Sequence, residues 1–325
     1  MATETEVLRT PQGFGGVGST SPESQAEGLY SDVPPCSDDF GPFCPTYGDH
    51  SLLVGFGPIR LRLEGLSARQ AALLMQRYGR FRATGGRVTA RVRLGPARVP
   101  HFLYHRPGVF ERYRMERRQD GRTLTLWSYE FAGRLDVEAR KADLRLVEPE
   151  GVLHDRGLEN YLRVLTASFV LEAGGFLLHG AGIVRDGKAF VFFGPSGAGK
   201  TTITQLSPDD LVLSDDLTLV VRTPRGYEAA GIPFGLAHHH VPESAGSFPI
   251  DSFNMLVQAA AVRRTELAPA QALAEIAGCL PFVMQDTAQS ARGLDNVANV
   301  VWEVPVHRLE FRKDASFWNV LTEAS

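Results

Sequence analysis

A chain of 325 residues with 43% hydrophobic and 22% charged residues is long enough for two packed cores. No apolar run approaches the ~18 residues of a membrane span, and a net charge of -3 gives no basic excess for nucleic acid. The three cysteines, Cys36, Cys44 and Cys279, form no C-x-x-C pair, which leaves neither a disulfide framework nor a zinc site.

Residues 1–50 hold eight acids against the single base Arg9, are rich in Gly, Pro and Ser, and show no apolar period. Such a composition predicts a disordered acidic leader, either incidental or a tether that occupies a peptide site. Met1–Glu6 lacks the basic and apolar regions of a secretory signal, so a cytoplasmic protein without membrane contact is expected.

Residues 51–150 read as a small α+β domain that could present a substrate. Ile59–Leu63 alternates as a strand, Ser67 caps a helix to Tyr78, and Val88–Leu94 alternates with arginines. The arms around Asp120-Gly121 read as a hairpin, and strands follow at 131–137 and 144–147.

Residues 151–325 form the second predicted domain. Gly157–Ala173, with apolar residues from Leu158 to Val170 at helical spacing, reads as a helix that stops at Gly174-Gly175. A strand 176–184, a turn at Asp186-Gly187 and a second strand 189–193 come next. The stretch Leu211–Leu219 reads as one strand interrupted by Asp215-Asp216.

Between these strands stands Gly194-Pro195-Ser196-Gly197-Ala198-Gly199-Lys200-Thr201, which matches G-x-x-x-x-G-K-[ST] and is followed by Thr202 and a helix-compatible stretch. Its glycines free backbone N–H groups to turn toward phosphate oxygens. Lys200 offers a point charge near the β and γ phosphates, and the Thr201 hydroxyl can ligate Mg²⁺. ATP and Mg²⁺ are therefore the expected ligands. The paired carboxylates in an apolar strand cost desolvation unless they meet a cation or a proton-transfer role. Asp215 suits metal support and Asp216 a general base, with the reverse assignment equally open; a plain turn is the bland alternative. His179, near the end of the strand before the loop, could approach the phosphates, or be a hydrogen-bonded structural histidine.

His179, the loop with Ser196-Gly197 and the Asp215-Asp216 pair together resemble the HPr kinase/phosphorylase family and, more distantly, ATP-dependent phosphoenolpyruvate carboxykinases. The resemblance covers residues 158–221. Pro305–Leu309 with Ser316-Phe317-Trp318 is similar to the end of HPr-kinase-related proteins of bacterial peptide-modification clusters. It implies an α/β fold with a carboxykinase-like P-loop core on a mixed sheet beside the smaller N-terminal α+β domain. It implies a kinase acting on a serine or threonine of a peptide or protein, with His179, Lys200, Asp215 and Asp216 catalytic, and homo-oligomeric assembly. Arg292 in Arg292–Asn296 resembles a family arginine motif that contacts phosphate or substrate; a loop arginine explains it equally.

The family's second metal-binding glutamate and phosphorolysis contacts are not recognisable after Asp216, where Gly231–Gly235 and Ala237–His240 stand, so neither phosphorylase activity nor HPr as acceptor is implied. His238–His240 could contact metal or substrate, or form a surface loop. An ABC-type ATPase is disfavoured because no Leu-Ser-Gly-Gly-Gln signature follows. A metabolite kinase and a non-enzymatic nucleotide switch are the alternatives to a peptide kinase.

Overall fold

Apolar-polar alternation, capping residues and left-handed turns set the local structure of both halves of the chain. The computed structural model describes residues 6–9, 40, 45–103, 113–234, 246–284 and 286–322. Described residues through Val54, with Arg60–Val164, form one unit; Gly55–Ile59 with residues from Leu165 onward form the other.

The first unit is built on strands β1 (Glu6–Arg9), β2 (His50–Phe56), β3 (Ile59–Leu66), β4 (Ala90–Pro96), β5 (Arg114–Asp120), β6 (Thr123–Trp127), β7 (Phe131–Asp136) and β8 (Lys141–Leu146). They lie in the order β1-β5-β6-β7-β8-β4-β3-β2. The sheet is mixed: β3, β4 and β8 run parallel, and β5 to β8 form an antiparallel meander. In β3, Leu61 and Leu63 are fully buried while Arg60 and Arg62, which alternate with them, are not, which is the period of a half-buried strand.

Helix α1 (Ala68–Tyr78) begins at a capping box: Ser67 Oγ accepts from Gln70 N, and Gln70 Oε1 accepts from Ser67 N. Helix α2 (Val152–Glu172) starts five residues before the sequence pattern suggested, because Val152 is exposed and adds nothing to an apolar period. Its Tyr161 lies edge-on to Phe131, ring centroids 5.7 Å apart, and closes over Gly133. Glu159, nearly buried on α2, is gripped by Arg77 and Arg163, as a buried charge requires. The disordered leader expected over residues 1–50 is corrected at Glu6–Arg9, which pairs antiparallel with β5, and at His50, where β2 begins. Composition does not reveal a four-residue strand whose partner lies a hundred residues away. Cys36 and Cys44 lie outside the described residues.

The second unit contains β9 (Phe176–Arg185), β10 (Lys188–Phe193), β11 (Leu211–Ser214), β12 (Leu217–Thr223), β13 (Gly226–Ala230), β14 (Ser247–Gln258), β15 (Arg263–Glu266) and β16 (Val306–Phe311). Helices α3 (Lys200–Gln205), α4 (Pro269–Ala277), α5 (Thr287–Glu303) and α6 (Phe317–Thr322) accompany them. The order is β10-β9-β12-β13-β14-β16-β15, with β11 on β9; β10 also pairs with β14 in parallel and so closes a ring of strands. Asp186 and Gly187, at φ 52° and 75°, make the tight turn that joins β9 to β10.

Phe190, Phe192, Leu256, Leu309, Phe311, Phe317 and Trp318 belong to one buried cluster of this unit. Trp318 stands at 87° to Phe190, donates from Nε1 to Ser207 Oγ, and carries the Arg185 guanidinium on its ring face. Arg185 is itself held by both carboxylate oxygens of Asp210 at 2.8 and 2.7 Å. The Ser316-Phe317-Trp318 signal of the sequence is thus a packing feature. Among the described residues no helix is long and apolar enough to cross a membrane.

Replacing Gly133 by alanine drives a methyl into the Tyr161 ring, so Gly133→Ala is expected to lower stability by about 1–3 kcal/mol. Urea unfolding checks this; an unchanged midpoint removes the claimed close contact, and restoration by Tyr161→Leu supports it.

Candidate functional site

The site begins with β10, whose last residue, Phe193, pairs with Gly180 of β9. The chain then turns through Gly194 (φ 147°), Gly197 (φ 80°) and Gly199 (φ 113°), and α3 starts at Lys200. Three left-handed glycines within six residues need the absence of a Cβ. At Gly199 the need is doubled, because a Cβ would come within 2.5 Å of Phe311 Cζ. Pro195, Ser196 and Gly197 are exposed, Ala198 and Gly199 half-buried, and Gln258 of β14 pins the loop by donating to Gly197 O at 2.8 Å.

Lys200 is 8% exposed, and its Nζ donates to Gly194 O at 2.9 Å and Pro195 O at 3.3 Å. The ammonium is folded onto its own loop. Burial lowers its pKa from the ordinary lysine range, while neighbouring Cys279 and Asp216 pull it back up. Thr201 is exposed on the first turn of α3, and Thr202 half-buried behind it.

The Leu211–Leu219 stretch is two strands rather than one, and the aspartates stand at the break. β11 pairs with β9 at Leu211↔Val184, slips at Leu213, and after the break β12 pairs Leu217 with His179. Gly180 N donates to Asp216 O at 2.9 Å, and Ser214 Oγ accepts from Asp216 N and Leu217 N. The polar interruption in the sequence is therefore a backbone joint braced by Ser214. His179 Nδ1 lies 3.1 Å from Asp216 Oδ1, with both side chains 22% exposed. The histidine accordingly orients Asp216 within the site. Asp215 is half-buried, and its carboxylate makes no hydrogen bond or ion pair with the described residues.

Cys279 was not singled out by the sequence, where a lone cysteine between α4 and α5 carries no motif. Its carbonyl accepts from His179 N at 2.9 Å, on the β9 edge opposite Asp216. Its thiol neighbours Lys200 and the Gly194 N–H. Burial raises the thiol pKa, and those two neighbours oppose the rise.

The loop, Lys200, His179, Asp216 and Cys279 are thus brought together. Arg292 is not among them: it lines a groove on α5 with Leu171, Glu172, Gly174 and Asn296. The alternative reading of Arg292 as a loop arginine is corrected, since the helix α5 carries the motif. His238–His240 lie outside the described residues.

Among the described residues no group of three or more His, Cys, Asp or Glu could cage a metal alone. The Asp215 carboxylate, without a hydrogen-bond or ion-pair partner among the described residues, and the exposed Thr201 hydroxyl are oxygen donors of the kind Mg²⁺ takes together with phosphate oxygens.

Fold and site define a mixed α/β protein whose second unit presents a glycine-rich strand-to-helix loop with an enclosed lysine beside a histidine–aspartate pair. The family model for the SynChlorMet cassette protein ScmC matches residues 161–324, just over half of the chain, and the chain belongs to that family. No curated protein matches it.

With Cys36 and Cys44 replaced by serine, alkylation of Cys279 by iodoacetamide is expected to rise at a pH above that of an exposed thiol. Lys200→Met should move it higher still, since it removes the cation that favours the thiolate. Intact-mass kinetics across pH measure both; an unmoved profile in Lys200→Met excludes contact between the two groups.

Proposed function

We propose that this chain is an ATP-dependent kinase that transfers the γ-phosphoryl group to a serine or threonine hydroxyl of a peptide or protein, using a P-loop core related to HPr kinases. The observation that carries the reading is the buried Lys200 turned back onto the Gly194 and Pro195 carbonyls, with Asp216 close enough to influence its charge. A lysine held over its own loop is already placed to neutralise charge developing on phosphate oxygens, without reorganisation at the moment of reaction.

Asp216, oriented by His179, accepts the proton of the attacking hydroxyl as that oxygen bonds to the γ phosphorus and the bond to the leaving ADP oxygen breaks. Positioning rather than a raised pKa is what this role demands, because a loose phosphoryl-transfer transition state leaves little proton work to be done early. Asp215 and Thr201 would hold Mg²⁺, which when bound supplies charge neutralisation and alignment of the phosphates. The loop amides from Gly194 to Thr202 cradle the phosphates. A cytoplasmic location fits ATP as donor.

The test is transfer of ³²P from γ-labelled ATP with Mg²⁺ to the polypeptide fraction of a bacterial lysate. Asp216→Asn is expected to reduce transfer by roughly 10²–10⁴-fold while ATP affinity changes little, whereas Lys200→Ala weakens both. Full turnover in Asp216→Asn removes that residue's role. Label only in small molecules replaces the acceptor class with a metabolite, and nucleotide binding without any transfer replaces the kinase with a switch.

A further inference from the structure

The edge of the first unit's sheet is β5, and the strand that covers it is β1, drawn from the acidic leader. The register is antiparallel: Glu6↔Arg117, Val7↔Glu116, Leu8↔Met115 and Arg9↔Arg114. On its inner side β5 pairs with β6 over five of its seven residues, from Glu116↔Trp127 to Asp120↔Thr123. Only four pairs hold β1, and none of its other neighbours in the sheet order contributes, since it is terminal. So short a ladder is marginal by itself, and edge elements sit at the low end of local opening free energies.

A sheet edge presents a row of unpaired N–H and C=O groups whenever its cover departs, and extended peptides bind by completing that row. The residues aligned along β5 add selectivity. Arg117, 7% exposed, and Met115, 1% exposed, are two apart and so lie on one face of the sheet, at the registers of Glu6 and Leu8. A strand that fits this edge has an acid at the Arg117 register and an apolar residue two positions later. β1 has this pattern, Glu6-Val7-Leu8.

We propose that the β5 edge is a docking strand for an extended segment of another polypeptide with an acid-x-apolar core, and that β1 is its built-in competitor. The leader strand keeps the edge covered until a matching segment displaces it. This inference does not rest on the phosphotransfer reading, because docking is measured without nucleotide and involves the first unit alone.

The experiment uses the full chain and fluorescein-labelled ten-residue peptides unrelated to residues 1–12, one with a Glu-Thr-Ile core and one with Arg-Thr-Ile. Val7→Pro with Leu8→Pro removes two β1 amides and disfavours its pairing. By fluorescence anisotropy this variant is expected to bind the Glu peptide at least tenfold more tightly than the wild-type chain does, and tenfold more tightly than it binds the Arg peptide. Arg117→Glu should reverse the preference. Methylating alternate peptide amides should abolish binding in one phase and leave it in the other, as a ladder demands. Equal affinity of the wild-type and double-proline chains, indifference to the peptide's charge, or no binding to either chain overturns the proposal.

Should circular dichroism show that the double-proline chain does not fold, hydrogen exchange on the wild-type protein decides instead. Saturating Glu peptide is expected to speed exchange at Glu6–Arg9 while Arg114–Asp120 stays protected. Unchanged exchange at Glu6–Arg9 overturns the proposal equally.

Discussion

Two successive amides of β9 organise the candidate site. His179 N–H points to one edge of the strand and binds the Cys279 carbonyl; Gly180 N–H points to the other and binds the Asp216 carbonyl. Because neighbouring amides in an extended strand face opposite ways, one peptide step anchors two segments far apart in sequence. The end of β10 lies on the Cys279 edge through the Phe193↔Gly180 pairing, so the glycine loop departs beside both anchors. Distortion of β9 there would move the loop, the histidine–aspartate pair and the α4–α5 junction together.

The loop's own rigidity comes from below. Gly199 rests over the Phe311 ring, Gln258 binds Gly197 O, and the cluster that includes Phe311, Phe317 and Trp318 continues into the unit's core. Interiors packed at crystal density transmit small displacements rather than absorb them. The lysine held over the loop is therefore positioned by an aromatic floor as much as by its two carbonyl partners. Burial of that ammonium costs free energy, which the carbonyl hydrogen bonds and the nearby carboxylate offset.

Much of this was legible in the residues. The loop could be read because glycine at left-handed positions and lysine at a helix start leave a fixed spacing, and Ser67, Asp120-Gly121 and Asp186-Gly187 mark a cap and two turns by their own chemistry. His179 and the Asp215-Asp216 pair stood out as polar residues in otherwise apolar strands. Three things were hidden. Leu211–Leu219 carries its polar residues as one interruption, Ser214-Asp215-Asp216, between apolar ends, so periodicity could not show that Ser214 breaks it into two strands. Cys279 reaches the loop through a tertiary contact with no sequence spacing to betray it. The helix that carries Arg292 was not read from the sequence; in it Gly293 is buried, and its missing side chain makes room for Leu280.

The Gly199–Phe311 contact ties together two positions 112 residues apart along the chain. Each constrains what evolution can place at the other. An aromatic ring at 311 permits only glycine at 199, both for space and for backbone conformation, whereas a smaller floor residue would relax the first restriction and leave the second. Substitutions at 311 are therefore filtered through the geometry of a loop that Phe311 supports from below, so that an apparently ordinary core position inherits the constraint of the site above it.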